Sequence, residues 1–283
     1  MSVDWLAITK RNARSVQTTI GWIYWDPGAV RRYEEMGIPG PLGYLTSRSA
    51  PLAPAGAQAV TAAFGSITPF GIEMAMAVLA DKGVDPRTIW SVRDEAVVEG
   101  LHQHAPGIVE PLTRLGPVLW PVVEQLPNVG RVLYAATFGM PRPTDPLLSG
   151  WHAVNCLREW RGDTHWALVV ANGLTGVEAS VLHNLWLGYE PEWLPRSRGS
   201  NDAEIDAATA ALQRRGLLGD EGRAVRQHIE DETDRLTTLP WELLGEAESI
   251  RFAEELEPPC VDLLKRVDIT AGTNFQPGSR IRD

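Results

Sequence analysis

The chain has few cysteines and no long apolar run, and each shortage excludes a class of protein. Two cysteines among 283 residues, Cys156 and Cys260, are too few for a disulfide framework or a cysteine-based zinc site. No stretch approaches the roughly 18 uninterrupted apolar residues that a membrane-spanning helix needs. The first residues, MSVDWLAITKRNAR, lack the apolar centre of a signal peptide. We therefore expect a cytoplasmic protein with no membrane partner.

Nucleotide-binding motifs and an excess of positive charge are also lacking. The sequence has no Gly-x-x-x-x-Gly-Lys-Ser/Thr phosphate loop, no Gly-x-Gly-x-x-Gly and no Gly-x-Ser-x-Gly, which argues against nucleotide hydrolysis, dinucleotide redox chemistry and α/β-hydrolase chemistry. Lysine occurs at three positions only, and the formal net charge is −10. That charge repels nucleic acid at long range, so DNA is an unfavoured partner unless basic residues gather on one face.

The sequence that is present predicts a mainly α fold. Helical patterns cover residues 6–25, 28–37, 112–134 and, as a helix, a turn and a second helix that starts at Asp85-Pro86, residues 68 to about 118. Residues 147–188 read as two or three helices that stop near Gly173 and Gly188, and no convincing strand occurs before residue 190. Proline and glycine in the segment 38–54 predict a loop that contains Tyr44 and Arg48. Such loops between helices often carry binding residues.

A polar, proline-containing stretch, EPEWLPRSRGSND at 190–202, is the best domain boundary. We expect a helical domain with a candidate ligand pocket at 1–190, a small winged-helix-like module at 191–245, and a C-terminal helix and tail at 246–283. The winged-helix pattern rests on a helix, a short strand at Leu217-Leu218, a tight turn and a second helix. Its first helix carries Asp202, Glu204 and Asp206, which would face DNA phosphates and weaken binding.

The densest group of chemically capable residues is LREWRGDTHW at 157–166. If one helix runs through Gly162, then Arg158, Arg161 and His165 fall on one face. If the helix breaks there, Asp163 becomes the N-cap of a second helix whose free N–H groups add positive potential. Either geometry makes an anion site, in which a neighbouring histidine transfers a proton near neutral pH.

The alternative is a satisfied polar cluster between helices, in which Arg158 or Arg161 pairs with Glu159 or Asp163. We favour the site, because five groups capable of charge in an apolar segment are costly to bury without compensation. His165 and Asp163 are the predicted catalytic residues. The predicted substrate-binding residues are Arg158, Arg161, Arg48, Tyr24, Tyr44, Trp151, His152 and His183.

We predict no cofactor. Packed helices could bring His152, His165 and His183 together with Asp163 around a metal or a haem, but the spacing alone does not require it and no metal-binding motif is present.

The chain resembles a largely uncharacterised family of actinobacterial proteins labelled as helix-turn-helix proteins. The resemblance covers most of residues 10–245 and rests on IYWDP at 23–27, YLTSRSAPLAP at 44–54, LREWRGDTHWALVVANGLTGVEASVLH at 157–183, and RRGLLGDEG with ETDRL at 214–236. It implies roles for Arg48, Arg158, Arg161, Asp163 and His165. The chain departs from the family pattern at Ala53, where glycine is usual, and at Asp26-Pro27, where proline and glutamate are usual. The resemblance implies a regulator, and the family's association with secondary-metabolite genes implies a small-molecule role.

Three functions fit these observations. The first is an enzyme or binder that acts on a small anionic organic molecule, of secondary-metabolite type, by acid–base chemistry. The second is a ligand-responsive transcription regulator that reads DNA with residues 196–235 as a homodimer. The third is a partner-binding scaffold whose polar cluster is purely structural.

Overall fold

A computed structural model describes residues 2–271, and the tail beyond it lies outside the described residues. Within 2–271 all regular structure is helical, which confirms the mainly α prediction. The α-helices are α1 (Trp5–Gly21), α2 (Pro27–Glu35), α3 (Gly40–Ser49), α4 (Ala57–Phe64), α5 (Pro69–Lys82), α6 (Pro86–His104), α7 (Val109–Val123), α8 (Val132–Phe138), α9 (Pro146–Ala171), α10 (Gly176–Leu187), α11 (Trp193–Ser197), α12 (Asp202–Arg214), α13 (Asp220–Leu236), α14 (Leu239–Leu244) and α15 (Glu246–Ala271). Short 3-10 turns occupy Trp22–Trp25, Ala53–Ala55 and Pro106–Ile108. None of the described helices has the length and apolarity that crossing a membrane requires.

Several helices begin at an oxygen-bearing side chain followed by proline. Asp26, Thr68, Asp85 and Asp145 accept a hydrogen bond from a first-turn N–H of α2, α5, α6 and α9, and a proline follows each of them. Proline is tolerated at the first helical position because the N–H there has no intrahelical partner. The sequence therefore fixes where these helices start.

The long helix α9 organises the core. It packs along α7, where Gly150 lies so close to the Leu112 carbonyl that a side chain would collide with it. On another side α9 contacts α1, which in turn is covered by α15. Near its carboxyl end, Val169 joins Leu182 of α10, Leu212 of α12 and Ile229 of α13 in a second, smaller apolar cluster. The α9 helix thus connects this smaller cluster with the main apolar core.

The predicted loop at 38–54 is mostly helix. Residues Gly40–Ser49 form α3, so Tyr44 and Arg48 are one helical turn apart on a fixed element. Pro41 lies in the first turn, where its missing N–H costs nothing, and Pro51 comes after the helix has ended. The proline pattern marked the ends of a helix rather than an irregular segment.

The predicted strand and wing are also absent from the described residues. Leu217 donates its N–H to the Leu212 carbonyl, and Gly216 has φ +71°, so the two leucines belong to the turn that ends α12. Then α13 begins directly at Asp220. The segment from 202 to 236 is a helix, a turn and a helix, without a wing.

The remaining helical predictions are partly right. The range 112–134 is split, because α7 ends at Val123 and Pro127 and Gly130 lie in the turn before α8. The range 147–188 is two helices, α9 and α10, which end just before Gly173 and Gly188 as the glycines predicted.

Candidate functional site

The α9 helix continues unbroken through Gly162, which decides between the two geometries that fitted the sequence. Arg158 therefore faces Gln17 of α1, whereas Arg161 and His165 face Asp234 and Thr233 of α13. The three predicted residues share a face of α9 and point to two different neighbours.

Half-buried polar side chains lie along this face, and we call the region that they occupy the α9 cleft. Desolvation has the largest effect on the pKa of Arg48, Arg161 and His165, so these groups lie deep in the protein. Their side chains nevertheless keep accessible surface, 13% for Arg48 and 27% for Arg161. Polar groups that are mostly surrounded by protein and still touch solvent are candidates for contact with a small molecule.

One half of the cleft, the cationic lobe, consists of Tyr24, Tyr44, Arg48, Arg158, Glu159 and Arg198. The Glu159 carboxylate accepts hydrogen bonds from Arg48 at 2.8 and 3.2 Å and from Arg158 at 2.5 Å. Arg48 also donates to the Tyr44 hydroxyl at 2.8 Å. Burial raises the pKa of Glu159, but the two guanidinium groups outweigh it and lower that pKa to about 2.

Arg198 gives this lobe an excess of positive charge. It comes from the connection after α11 and donates to the Ser66 hydroxyl, and in the described part of the chain no carboxylate forms an ion pair with it. Desolvation lowers its pKa, and the nearby charges of Arg48 and Arg158 lower it further. Three guanidinium groups and one carboxylate leave a formal charge of +2 in the lobe.

The tyrosines complete the cationic lobe. The rings of Tyr24 and Tyr44 meet edge to face at 4.8 Å, and the Arg158 guanidinium lies 5.7 Å from the Tyr24 ring centre. Tyr24 is 5% exposed, and its hydroxyl has no hydrogen-bond partner among the described residues. A buried hydroxyl without a partner is costly, which makes this one a candidate hydrogen-bond donor to a ligand.

The other half of the cleft, the histidine lobe, consists of His165, His183, Arg226, Glu230 and Thr233. Glu230 pairs with Arg226 and, at 3.4 Å, with Arg161. Arg161 also donates to Asp234 at 2.7 Å, so its charge is compensated. Burial lowers the pKa of His165 to about 3 and the pKa of His183 well below its usual value, so both imidazoles are neutral.

Asp163 has a different role from either one predicted for it. Its carboxylate accepts from the Tyr134 N–H at 2.8 Å, so it caps α8 instead of orienting His165 or capping a second half of α9. Burial raises its pKa to about 6, against the opposing effect of that hydrogen bond. Asp163 therefore points to α8 and makes no hydrogen bond to His165.

Trp151 and His152 are also placed away from the cleft. Trp151 is fully buried and donates to the Thr19 carbonyl at 2.8 Å. His152 contacts the Thr137 carbonyl and lies between the rings of Trp90 and Trp120. His152 therefore does not join His165 and His183, and no group of three metal-ligating side chains occurs among residues 2–271.

Two surface cavities lie elsewhere. One of about 200 Å³ is lined by Asp26, Glu99 and Arg266 among others, and one of about 330 Å³ by Trp120, Glu124 and Arg142 among others. In the first cavity Asp26 pairs with Arg266 and Glu99 with Arg32, which leaves Arg31 as its one arginine without an ion pair among the described residues; in the second, Glu124 pairs with Arg142. The α9 cleft is the better candidate because its cationic lobe has the larger excess of positive charge.

A sequence model of the helix-turn-helix family matches residues 9–269. The chain belongs to the helix-turn-helix family. No curated protein and no solved structure matches the chain. The segment that the sequence predicted to read DNA contains α12 and α13, which are joined by the short turn at 215–219 and which we call the helix-turn-helix pair.

Three of the arginines in the segment 196–235, which was predicted to read DNA, are engaged within the protein. Arg196 bonds Glu192 and Asp202, Arg215 donates to the carbonyls of Gly173 and Asn172, and Arg198 lies in the cationic lobe. Residues 202–236 carry nine acidic residues and five arginines, a formal charge of −4. The helix-turn-helix pair of this member thus has the same charge sign as DNA.

Sequence reasoning missed part of the cleft. Glu159 was predicted only as a possible ion-pair partner, and Arg198 only as part of the segment 196–235. Glu230 and Arg226 carried no signal, because they lie on α13, about 65 residues after His165. Only packing brings them to α9.

Proposed function

We propose that this protein binds a small organic acid, of secondary-metabolite type and without a nucleotide cofactor, in the α9 cleft. Arg158 and Arg198 would hold the acid group, with the Tyr24 hydroxyl as a third donor. A carboxylate or phosphate suits such a site, since planar guanidinium groups bond two of its oxygens at once.

The excess charge of the cationic lobe carries this proposal. In this desolvated region Glu159 pairs with Arg48 and Arg158, and Arg198 has no carboxylate partner among the described residues. Uncompensated charge in such a place is unfavourable, so an incoming anion gains more there than at a solvated surface. The unpartnered Tyr24 hydroxyl supports the same conclusion independently.

His165 would supply the acid–base chemistry. Thr233 donates its hydroxyl proton to the Ile229 carbonyl, so its oxygen accepts from His165 Nδ1–H at 3.1 Å. His165 Nε2 then carries a free lone pair that can take a proton from a bound molecule. An anion bound in the cleft would raise the low pKa of His165 and make it a stronger base.

The test is calorimetric titration with acetate, benzoate, 3-phenylpropionate and phosphate. We expect at least one of them to bind, and Arg198→Met to weaken that binding by about 10- to 100-fold, the value of one charge-assisted hydrogen bond. Arg196→Met is the matched control: Arg196 is two residues away, exposed and paired outside the cleft. Equal affinity of the Arg198→Met variant and the wild type would contradict the proposal.

The family match favours a second candidate, a ligand-responsive regulator in which α12 and α13 read DNA. Fluorescence anisotropy with a 20-base-pair duplex tests it. A DNA reader loses affinity steeply with salt, because each phosphate contact releases counterions. With a helix-turn-helix pair of charge −4, we expect no submicromolar binding at any moderate salt concentration.

A further inference from the structure

The histidine lobe contains a hydrogen-bond donor that the fold leaves unused. Arg226 is 4% exposed and pairs with Glu230 through Nη2, whereas its Nη1 group is buried without a partner among the described residues. Leaving such a donor unsatisfied is costly, so Nη1 is placed to bond a molecule in the cleft. It is the counterpart of the Tyr24 hydroxyl in the cationic lobe.

The same lobe contains a hydrogen-bond acceptor. The hydroxyl of Thr233 fixes the proton of His165 on Nδ1, and therefore leaves Nε2 as an acceptor. His183 is a second neutral imidazole close by, since the charges of Arg226 and Glu230 act on both histidines. The histidine lobe thus offers one donor and at least one acceptor.

The two lobes differ in net charge. In the histidine lobe and its border, Arg161 and Arg226 are balanced by Glu230 and Asp234. A second acid group would gain little there, whereas an uncharged polar group such as a hydroxyl would satisfy both the donor and the acceptor.

Arg198 connects the two lobes, because its charge acts on Tyr44 and on both His165 and His183. Arg158 and His165 are seven residues apart, about 10 Å along the axis of α9. Trp166 lies against His165 at 5.6 Å and Trp186 against His183 at 5.8 Å between ring centres. A planar body between two polar ends fits these aromatic walls.

We infer that the ligand of the α9 cleft is an aromatic acid that carries a hydroxyl group at its far end, with the acid in the cationic lobe and the hydroxyl between His165 Nε2 and Arg226 Nη1. The hydroxyl donates to the histidine and accepts from the arginine. This inference rests on the proposed function and adds the polarity and length of the ligand.

A matched pair of probes tests it, 3-(4-hydroxyphenyl)propionate and 3-phenylpropionate, which differ by a single hydroxyl. We expect the wild-type chain to prefer the hydroxylated acid at least 10-fold, because a site that hydrogen-bonds a hydroxyl discriminates against the analogue without it. In His165→Leu that preference should fall to about 1, because the acceptor for the hydroxyl is gone. His228→Leu, an exposed histidine on α13, is the control and should keep the preference.

The conservative variant His165→Gln guards against misfolding, since its amide group donates to Thr233 less well but still offers an acceptor. It should keep part of the preference. Equal binding of the two probes to the wild-type chain overturns this inference and leaves the proposed function standing. If neither acid nor any simpler anion binds, both fail. A preference that survives in His165→Leu also overturns the assignment of the hydroxyl to this lobe.

Discussion

The cationic lobe and the α12–α13 pair use arginine in opposite ways. The cationic lobe has three arginines and one carboxylate in a desolvated region, and two of the arginines pair with that carboxylate. Across residues 202–236 nine acidic side chains outnumber five arginines, and Arg215 is spent on backbone carbonyls. The net charge is therefore positive next to α9 and negative on the helix-turn-helix pair.

The family name therefore does not indicate where the excess positive charge of this chain lies. Phosphate contacts dominate DNA affinity, and they need exposed positive charge. A small anion needs a few buried, prepositioned donors. The three predictions below probe this contrast and begin with the largest effect.

Glu159→Gln should be strongly destabilising, by about 3–5 kcal/mol, because it leaves the buried guanidinium groups of Arg48 and Arg158 without their carboxylate. Urea denaturation at pH 7 measures it. Glu124→Gln is the control, since the pair of Glu124 with Arg142 is about half exposed and should contribute under about 1 kcal/mol. A loss as small as that of the control would show that the lobe is not desolvated and would remove the contrast.

The pH dependence of the free energy of unfolding tests the pairing of Glu159 in a second way, which does not require comparing the absolute stabilities of two variants. The pKa of Glu159 falls from 4.5 to about 2 on folding, so its stabilising effect is complete above pH 4.5 and is lost as the pH falls towards 2. The wild-type chain should lose stability over this range. The Glu159→Gln variant should lose less, because the titrating group is gone.

Asp163→Asn should have a smaller effect of opposite sign, a gain of about 1 kcal/mol at pH 7.5. The pKa of Asp163 rises from 3.8 to about 6 on folding, so ionisation weakens the folded state as the pH rises between these values. Asparagine keeps the acceptor for the Tyr134 N–H without the buried charge. The gain falls short of the full pKa shift because the new amide N–H groups need partners.

Denaturation curves at pH 4 and pH 7.5 separate the causes. Below its folded pKa the wild-type carboxyl is already protonated, so the advantage of asparagine should vanish at pH 4. A constant difference at both pH values would mean that Asp163 is not a desolvated acid. If the advantage does vanish at pH 4, folding shifts the pKa values of two carboxyl groups four residues apart on α9 in opposite directions, down for Glu159 and up for Asp163.

Local sequence signals predicted the helical class and the helix starts. Proline after an N-cap residue predicted the start of α6 at Asp85-Pro86, and glycine predicted the helix ends near Gly173 and Gly188. The same residues misled at α3, because proline in a first turn and proline in a loop look alike in sequence. The predicted strand at Leu217-Leu218 failed because two apolar residues fit a helix end as well as a strand.

For the candidate site, the sequence predicted the relative placement only of residues that lie on one helix. The spacing of Arg158, Arg161 and His165 gave their common face, since helical period alone decides it. It could not give Arg198 or Arg226, because those residues reach α9 through the packing of distant segments. Trp151 and His152 were misassigned for the same reason: they lie on α9 within two turns of Arg158, but packing directs them into the core.

Arg215→Ala should give the smallest effect, a loss of about 0.5–1 kcal/mol in urea denaturation, because its guanidinium donates to the Gly173 and Asn172 carbonyls at an exposed helix end. If Arg215 instead served DNA, the substitution would weaken duplex binding and flatten its salt dependence by about one phosphate contact, with stability unchanged. Stability and duplex anisotropy measured on the same variant therefore assign this arginine to the fold or to DNA. Arg214→Ala is the matched control, because Arg214 is next to Arg215 and is exposed at the end of α12. It should change neither the stability nor the duplex affinity if the positive charge of the helix-turn-helix pair is not used for binding.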